Sequence, residues 1–238
     1  MAGRLPSKQV TRVRFPPLAP ANYHEARLVF TKARVGWGLL FTGAVLLVLT
    51  SGRYLTFDPE TYFPRQRVVY ERETAGLMVH IIAMLFAALI GPFQFVSGIR
   101  TRRPRLHRWM GRTYLAGAGI GAVGGLYIAQ FAASGADARI GFALLGVAVL
   151  VATGMAFAAI RQRRVQAHRE WMTRSYALIF AAVTLRLYLP GLEAAFGEET
   201  GYAIVAWLCW IPNLAVAEYI IRTRLRPRAT LHGGVALT

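Results

Sequence analysis

Two histidines occupy equivalent positions of an internal repeat, and this pair is the clearest candidate for chemistry in the 238-residue chain. The segment IRTRRPRLHRWMGRTY, residues 99–114, returns as IRQRRVQAHREWMTRSY, residues 160–176, with ten identical positions and one inserted residue, Glu170. The repeated histidines are His107 and His168. Two neutral imidazoles that face each other across a helical bundle form the axial pair of a b-type haem, so the pattern predicts an electron-transfer site.

Arginines surround both histidines in the sequence, and guanidinium groups pair well with carboxylates such as the haem propionates. The predicted cofactor contacts are Arg108, Arg112, Arg169 and Arg174. Helical periodicity places His107 on the same face as Tyr114, and His168 on the same face as Ser175. A purely anchoring role stays open, because His, Trp and Arg also favour the headgroup region of a membrane, where they hold helices in register.

Six apolar blocks position these residues, and each has the length of about 20 residues that a helix needs to cross the hydrocarbon of a membrane. The blocks are Val35–Tyr54, Ala75–Ser97, Thr113–Ala133, Ile140–Ile160, Thr173–Pro190 and Gly201–Ile221. The sequence therefore predicts an all-α integral membrane protein, a six-helix bundle over residues 33–222. Two duplicated helical hairpins, residues 75–133 and 140–190, form the internal repeat.

The net charge of +17 is distributed unevenly along the chain. Twenty-two of the 28 Lys and Arg residues lie in the termini and around the two basic turns, whereas eight of the 11 acidic residues lie in the opposite loops. This is the positive-inside pattern, which predicts that both termini are cytoplasmic. The basic turns then have anionic lipid headgroups as partners, and a nucleic acid is not expected.

The ends of the chain differ in composition from its apolar middle. Residues 1–32 form a basic, proline-containing leader that is predicted to be disordered, and residues 223–238 form a cytoplasmic tail. The run VTRVRFPPLAP looks like the translated end of a transfer-RNA gene, which predicts that the true start lies downstream. The single cysteine, Cys209, lies in the last block, so neither a disulfide framework nor a paired-cysteine metal site is predicted.

Three further polar residues lie inside the apolar blocks, namely His80, Gln94 and Arg186. Polar and ionisable groups are costly in a membrane, so they usually face the interior of the bundle or water. The three residues predict the polar path of a small transporter or channel, in which the partner of His80 is either Arg186 or an acidic residue of the outer loops.

The second apolar block contains a helix-breaking residue, Pro92. Because proline removes one backbone hydrogen bond, a kink is predicted near Ala88, and the freed carbonyl needs Gln94, Ser97 or water as a partner. The third block is rich in glycine, which predicts close packing of its backbone against a neighbouring helix.

Two long segments are similar to a family of bacterial membrane proteins. They read HIIAMLFAALIGPFQFVSGIRTRRPRLHRWMGRTY and HREWMTRSYALIFAAVTLRLYLP. Over residues Ala75–Arg222 the chain resembles the proteins grouped as domain of unknown function 2306. The resemblance implies a multi-pass protein of the bacterial cytoplasmic, or inner, membrane, and it implies no particular activity.

A shorter segment, Leu106–Arg112, is similar to one that opens a ligand-bearing helix in membrane b-type cytochromes and ferric reductases. This likeness implies haem b as a cofactor on His107 and His168, with a redox partner protein or a quinone to exchange electrons. The leading hypothesis is therefore a redox-associated haem protein. The alternatives are the small transporter or channel and a structural, lipid-binding membrane component, and no enzymatic activity is assigned.

Overall fold

The computed structural model describes the backbone of residues 20–225 and the side chains of residues 34–225. Every regular element in that part of the chain is helical. The chain divides into two units, Met1–Gly38 and Leu39–Thr238, and the first unit contributes the beginning of the first helix. All other regular elements belong to the second unit.

The helices are α1 (Pro20–Gly52), α2 (Arg67–Arg72), α3 (Thr74–Gln94), α4 (Ser97–Arg102), α5 (Pro104–Ala129), α6 (Gly135–Arg161), α7 (Val165–Ile179), α8 (Ala181–Phe196), α9 (Glu198–Leu208) and α10 (Ile211–Ile220). A connection of 3-10 turns and α2, residues 53–73, lies at one end of the bundle, which we call the loop end. The basic turns before α5 and α7 lie at the opposite end, which we call the arginine end.

Five helical stretches within the described residues are long and apolar enough to cross a membrane. They are Arg34–Thr56, Thr74–Gln94, Gly135–Arg161, Val165–Phe196 and Glu198–Leu225. The sequence predicted six crossings. Helix α5 has sufficient length, about 39 Å at roughly 1.5 Å per residue, but its glycines and its basic first turns lower its mean hydropathy. Length and composition thus support five crossings.

Two of these stretches are interrupted, although the corresponding apolar blocks are continuous in sequence. Val165–Phe196 is interrupted at Phe180, between α7 and α8. Glu198–Leu225 is interrupted at Cys209 and Trp210, between α9 and α10. Each interruption frees backbone carbonyls inside the membrane, and such groups need new hydrogen-bond donors.

Side chains of α8 and α10 supply those donors. Asn213 Nδ2 donates to the carbonyls of Ala177 and Cys209, at 3.3 and 3.0 Å. Thr184 Oγ1 donates to the same Cys209 carbonyl at 2.5 Å. The interruptions are therefore built into the packing of α7 to α10.

Helices extend into both segments that the sequence predicted as chain ends. The described part of α1 starts at Pro20, so residues 20–32 of the predicted leader are helical. The last turn, Ile221–Leu225, reaches past residue 223, where the tail was predicted to begin. The predictions for residues 1–19 and 226–238, including a downstream start, lie outside the described residues.

Helices α3 and α5 run antiparallel in close contact. A Cβ atom at Gly117 would lie 2.9 Å from the carbonyl oxygen of Ala83, and one at Gly124 would lie 3.0 Å from the backbone nitrogen of His80. Only glycine permits such an approach of two backbones. The predicted packing role of these glycines is confirmed.

A tyrosine of the second repeat joins α7 to α3. Because Pro92 has no N–H, the carbonyl of Ala88 loses its helical partner, and the Tyr176 hydroxyl donates to it at 3.1 Å. Gly91 makes room for the ring, since a Cβ atom there would overlap it. The freed carbonyl was predicted, but its expected partners were Gln94, Ser97 or water; the observed donor comes from a helix about 90 residues later in the chain.

Replacing Tyr176 by phenylalanine is expected to destabilise the protein by about 1 to 3 kcal/mol, because the buried carbonyl of Ala88 loses its donor while the ring stays in place. Thermal unfolding of the detergent-purified protein measures this change. Tyr219→Phe is the matched control, since Tyr219 is 67% exposed. Equal unfolding temperatures for the two variants would show that the hydrogen bond contributes nothing.

Candidate functional site

A cavity of about 340 Å³ lies inside the bundle, between the loop end and the middle of the helices. We call it the central cavity. Its polar lining residues are Ser51, Arg53, Tyr54, Gln66, Tyr70, His80, Arg186 and Tyr202. Most of the remaining wall is aliphatic, and the volume falls within the range of small-molecule sites, roughly 300–1,000 Å³.

The central cavity contains cationic side chains. Arg53 and Arg186 line it, and none of its described lining residues is Asp or Glu. Arg186 donates through Nη1 to the Ala182 carbonyl at 2.7 Å and through Nη2 to Ser51 Oγ at 2.6 Å. No carboxylate of the described residues forms an ion pair with Arg186. A charge in such a low-dielectric site attracts an anion more strongly than it would in water.

His80 forms part of the cavity wall, with its ring against α5. Nδ1 lies 2.7 Å from the Gly121 carbonyl, so Nδ1 carries the proton of the neutral ring and Nε2 is left as an acceptor. Gly125 makes room for the ring, because a Cβ atom there would lie 2.9 Å from Cε1. The hydrogen-bond partner of His80 is thus the α5 backbone rather than Arg186, although both side chains line the same cavity.

Tyrosines of the connection 53–73 cover the loop end of the cavity. Tyr54, Tyr62 and Tyr70 pack together, with ring centroids 5.4 to 6.2 Å apart. Burial raises the pKa of Tyr70 well above its ordinary value, and the neighbouring Tyr202 and Tyr54 raise it further. The Tyr70 hydroxyl therefore remains protonated and can act as a hydrogen-bond donor in the cavity.

A buried glutamine fastens this connection to the rest of the bundle. In the amide orientation that satisfies its neighbours, Gln66 donates to the Phe131 carbonyl at 3.2 Å and accepts from the Ala133 N–H at 2.7 Å. It also accepts from the Tyr202 hydroxyl at 3.2 Å. Gln66 thus joins the connection to the turn before α6 and to α9.

Both repeated histidines lie at the arginine end. The hydroxyls of Tyr114 and Ser175 form a 2.8 Å hydrogen bond between α5 and α7. His107 lies seven residues before Tyr114, and His168 lies seven residues before Ser175. Because α5 and α7 both start at the arginine end, this equal offset places His107 and His168 at the same depth. Tyr114 and Ser175 thus supply an observed contact between α5 and α7.

The two imidazoles differ in their hydrogen bonds. His168 Nδ1 lies 2.9 Å from the Ala156 carbonyl, which leaves Nε2 with a lone pair. His107 Nδ1 is buried and has no hydrogen-bond partner among the described residues. Burial lowers the pKa of His107, and the charge of Arg100 lowers it further, so this ring is neutral at neutral pH.

The four arginines predicted to contact a cofactor fall into two groups. Exposed at the arginine end are Arg108, Arg112 and Arg169. Arg174 instead donates through Nη2 to Glu218 at 3.1 Å, and its guanidinium lies over the ring of Trp171, 4.5 Å from the centroid. Arg174 therefore contributes to the joint between α7 and α10.

Gln94 lies near the histidines and is not among the residues that line the central cavity. It is 7% exposed, and its Nε2 has no hydrogen-bond partner within residues 34–225. Its Oε1 would lie 3.3 Å from a Cβ atom at Gly111, one helical turn after His107. The structure thus separates the three polar residues predicted for one path, since His80 and Arg186 share the cavity and Gln94 lies toward the other end.

Several cavity residues were not predicted as site residues from the sequence, because they lie at the end of an apolar block or in the connection between two blocks. Ser51, Gln66 and Tyr70 are examples. The available signal was the concentration of tyrosine in a short, otherwise charged connection, since large aromatic residues there indicate a packed rather than a solvated segment.

Gln66→Leu is expected to loosen the connection, because the buried groups that the amide satisfies lose their partner. The ion pair between Arg65 and Glu198 cannot compensate, since Glu198 is 80% exposed and such pairs contribute at most about 1 kcal/mol. Faster trypsin cleavage after Arg65 is the expected observation, with Gln130→Leu, at an exposed position, as the control. Unchanged cleavage would mean that other contacts hold the connection in place.

The family comparison covers the helices that build this site. A family model described as predicted membrane protein (DUF2306) matches residues 77–221, a range that includes both histidine repeats and most of the helical wall of the central cavity. The comparisons with curated proteins and with solved structures found no match. Because the family model spans more than half of the chain, the protein belongs to the DUF2306 family of predicted membrane proteins.

Proposed function

We propose that the protein is a membrane-embedded carrier that binds a small organic anion in the central cavity. The observation that carries the proposal is Arg186, a cation without a carboxylate partner among the described residues. An uncompensated guanidinium inside the bundle costs free energy, so a ligand that neutralises it accounts for its presence there. His80 Nε2 and the Tyr70 hydroxyl add an acceptor and a donor that orient the ligand.

The interrupted helices support a carrier rather than a static binding protein. Ile179 and Ala181 flank the interruption at Phe180, and Cys209 lies at the second interruption. All three residues line the cavity. Interrupted helices at a substrate site are a recurring feature of transporters, because short helical segments can move separately around the bound substrate. The cavity wall of this protein contains two such points.

The carrier is proposed to cross the bacterial inner membrane six times, with α5 as the third crossing and both termini cytoplasmic. The support is that α5 follows α3 along its whole length, from Gly111 beside Gln94 to Tyr127 beside Gly76. An even number of crossings also agrees with basic residues at one end of the bundle. In this topology the duplicated hairpins are α3–α5 and α6–α8, and their basic turns contact anionic headgroups.

Electron transfer by a bound haem b is a second candidate, favoured by the nitrogens of the two repeated histidines. A backbone carbonyl holds Nδ1 of His168, the usual arrangement of a histidine that binds metal through Nε2. His107 has a buried Nδ1 without a partner in the described part of the chain. Arg108, Arg112 and Arg169 are exposed nearby and would pair with the propionates. Haem would supply one-electron chemistry, exchanged with a redox partner protein or a quinone.

Arg186→Met is expected to raise the unfolding temperature of the ligand-free protein and to abolish its stabilisation by anions, because the substitution removes the uncompensated charge that the ligand neutralises. Thermal unfolding of detergent-purified protein is measured with benzenesulfonate, benzoate and neutral benzyl alcohol. A ligand at about 100 times its Kd stabilises the protein by about 2.7 kcal/mol.

Arg72→Met is the matched control, since Arg72 lies near the loop end, pairs with Glu73 and does not line the cavity. The control is expected to keep the anion response. Uptake of benzenesulfonate into proteoliposomes then tests transport, because a sulfonate does not cross lipid as a neutral acid. The proposal would be wrong if benzyl alcohol stabilised the protein as much as the anions do, or if Arg186→Met kept the stabilisation by anions.

The haem candidate predicts a b-type difference spectrum, dithionite-reduced minus oxidised, for protein purified from haem-replete cells. His107→Ala and His168→Ala are each expected to lose this spectrum, because each removes one axial ligand. His80→Ala is the matched control, since His80 lines the central cavity and not the arginine end. A colourless preparation would exclude this candidate.

A further inference from the structure

We infer that the central cavity binds an amphipathic acid head first, with the acidic group toward the loop end and an acyl tail directed toward the membrane centre. This inference rests on the proposed anion-binding function and specifies the ligand class. Its basis is the separation of polar and apolar lining residues along the axis of the bundle.

The polar part of the wall lies at the loop end. Ser51 is the penultimate residue of α1, and its hydroxyl accepts a 2.6 Å hydrogen bond from Arg186 Nη2. This bond places the guanidinium at the level where α1 ends. Gln66 and Tyr70, from the connection that follows α1, line the same region. An acidic headgroup there meets a cation and hydrogen-bond donors together.

The wall becomes apolar toward the middle of the bundle. Leu178 lies eight residues before Arg186 along the α7–α8 stretch, which corresponds to about 12 Å of depth at roughly 1.5 Å per residue. Met84 and Val149, near the middle of α3 and α6, line this deeper part. The cavity therefore has the depth and the lining that a medium-length acyl chain requires.

The two parts of the ligand contribute differently. A tail that moves from lipid into an aliphatic cavity exchanges one apolar environment for another and gains little. The contact of the headgroup with Arg186 must therefore supply most of the affinity, because that charge pair forms in a low dielectric. The depth of the cavity then selects the length of the tail.

The test is photo-cross-linking of the full-length protein in lipid nanodiscs, with a medium-chain carboxylate that carries a diazirine at the end of its tail. Mass spectrometry of the digested protein locates the adducts. Adducts are expected on the deep wall, at Met84, Val149 or Leu178. Octanoate is expected to abolish them, whereas acetate and octanol are expected to leave them unchanged.

Val149→Trp fills the deep end, and it is expected to lose these adducts while stabilisation by benzenesulfonate persists. Val147→Trp is the matched control, because Val147 lies on the same helix and is 46% exposed. If the tryptophan variant does not fold, the positions of the adducts in the unsubstituted protein still test whether the tail reaches the deep wall.

Two outcomes would overturn the head-first arrangement and leave anion binding intact. The first is competition by acetate as effective as that by octanoate, and the second is a set of adducts confined to lipid-facing residues such as Val147. The absence of any anion effect that depends on Arg186 would instead overturn the proposed function itself.

Discussion

The carbonyl of Ala88 needs a hydrogen-bond donor inside the membrane, and the arrangement of the bundle depends on how that need is met. Pro92 creates the need within α3, and lipid has no donor to offer. Tyr176 supplies the donor from α7, and Gly91 leaves space for its ring. The contact joins α3 to α7. This hydrogen bond fixes the depth of α7 relative to α3, and the neighbouring helices pack against these two.

A network of buried hydroxyls extends this joint toward α5 and α6. Tyr114 and Ser175 are 2.8 Å apart, and Thr153 lies 3.0 Å from Ser175. Tyr114 and Tyr176 occupy equivalent positions of the repeat, yet one contacts a side chain and the other a freed carbonyl. The packed residues around this network separate the central cavity from the histidines at the arginine end, so one bundle presents two distinct candidate sites.

The arginines at the two ends of the bundle differ in exposure and in their ion-pair partners. Most arginines of the arginine end are exposed, and Arg174 is compensated by Glu218. Arg186 lies inside the bundle with a carbonyl and a hydroxyl as partners, and these groups neutralise a charge only in part. A sequence selected for stability alone would replace such a residue by an aliphatic one. The anion-binding proposal follows from that contrast.

The sequence by itself determined the helical class, the apolar stretches of membrane length and the family, because these depend on composition and on local pattern. It also identified His107 and His168 as a pair and predicted that Pro92 frees a carbonyl. Only the tertiary structure decided that Tyr176 donates to this carbonyl. It also decided that Ser51 and Arg186, 135 residues apart, meet in one cavity from which Gln94 is absent. The physical reason is that periodicity shows which face of a helix is buried, whereas the neighbour that this face meets depends on the packing of all the helices together.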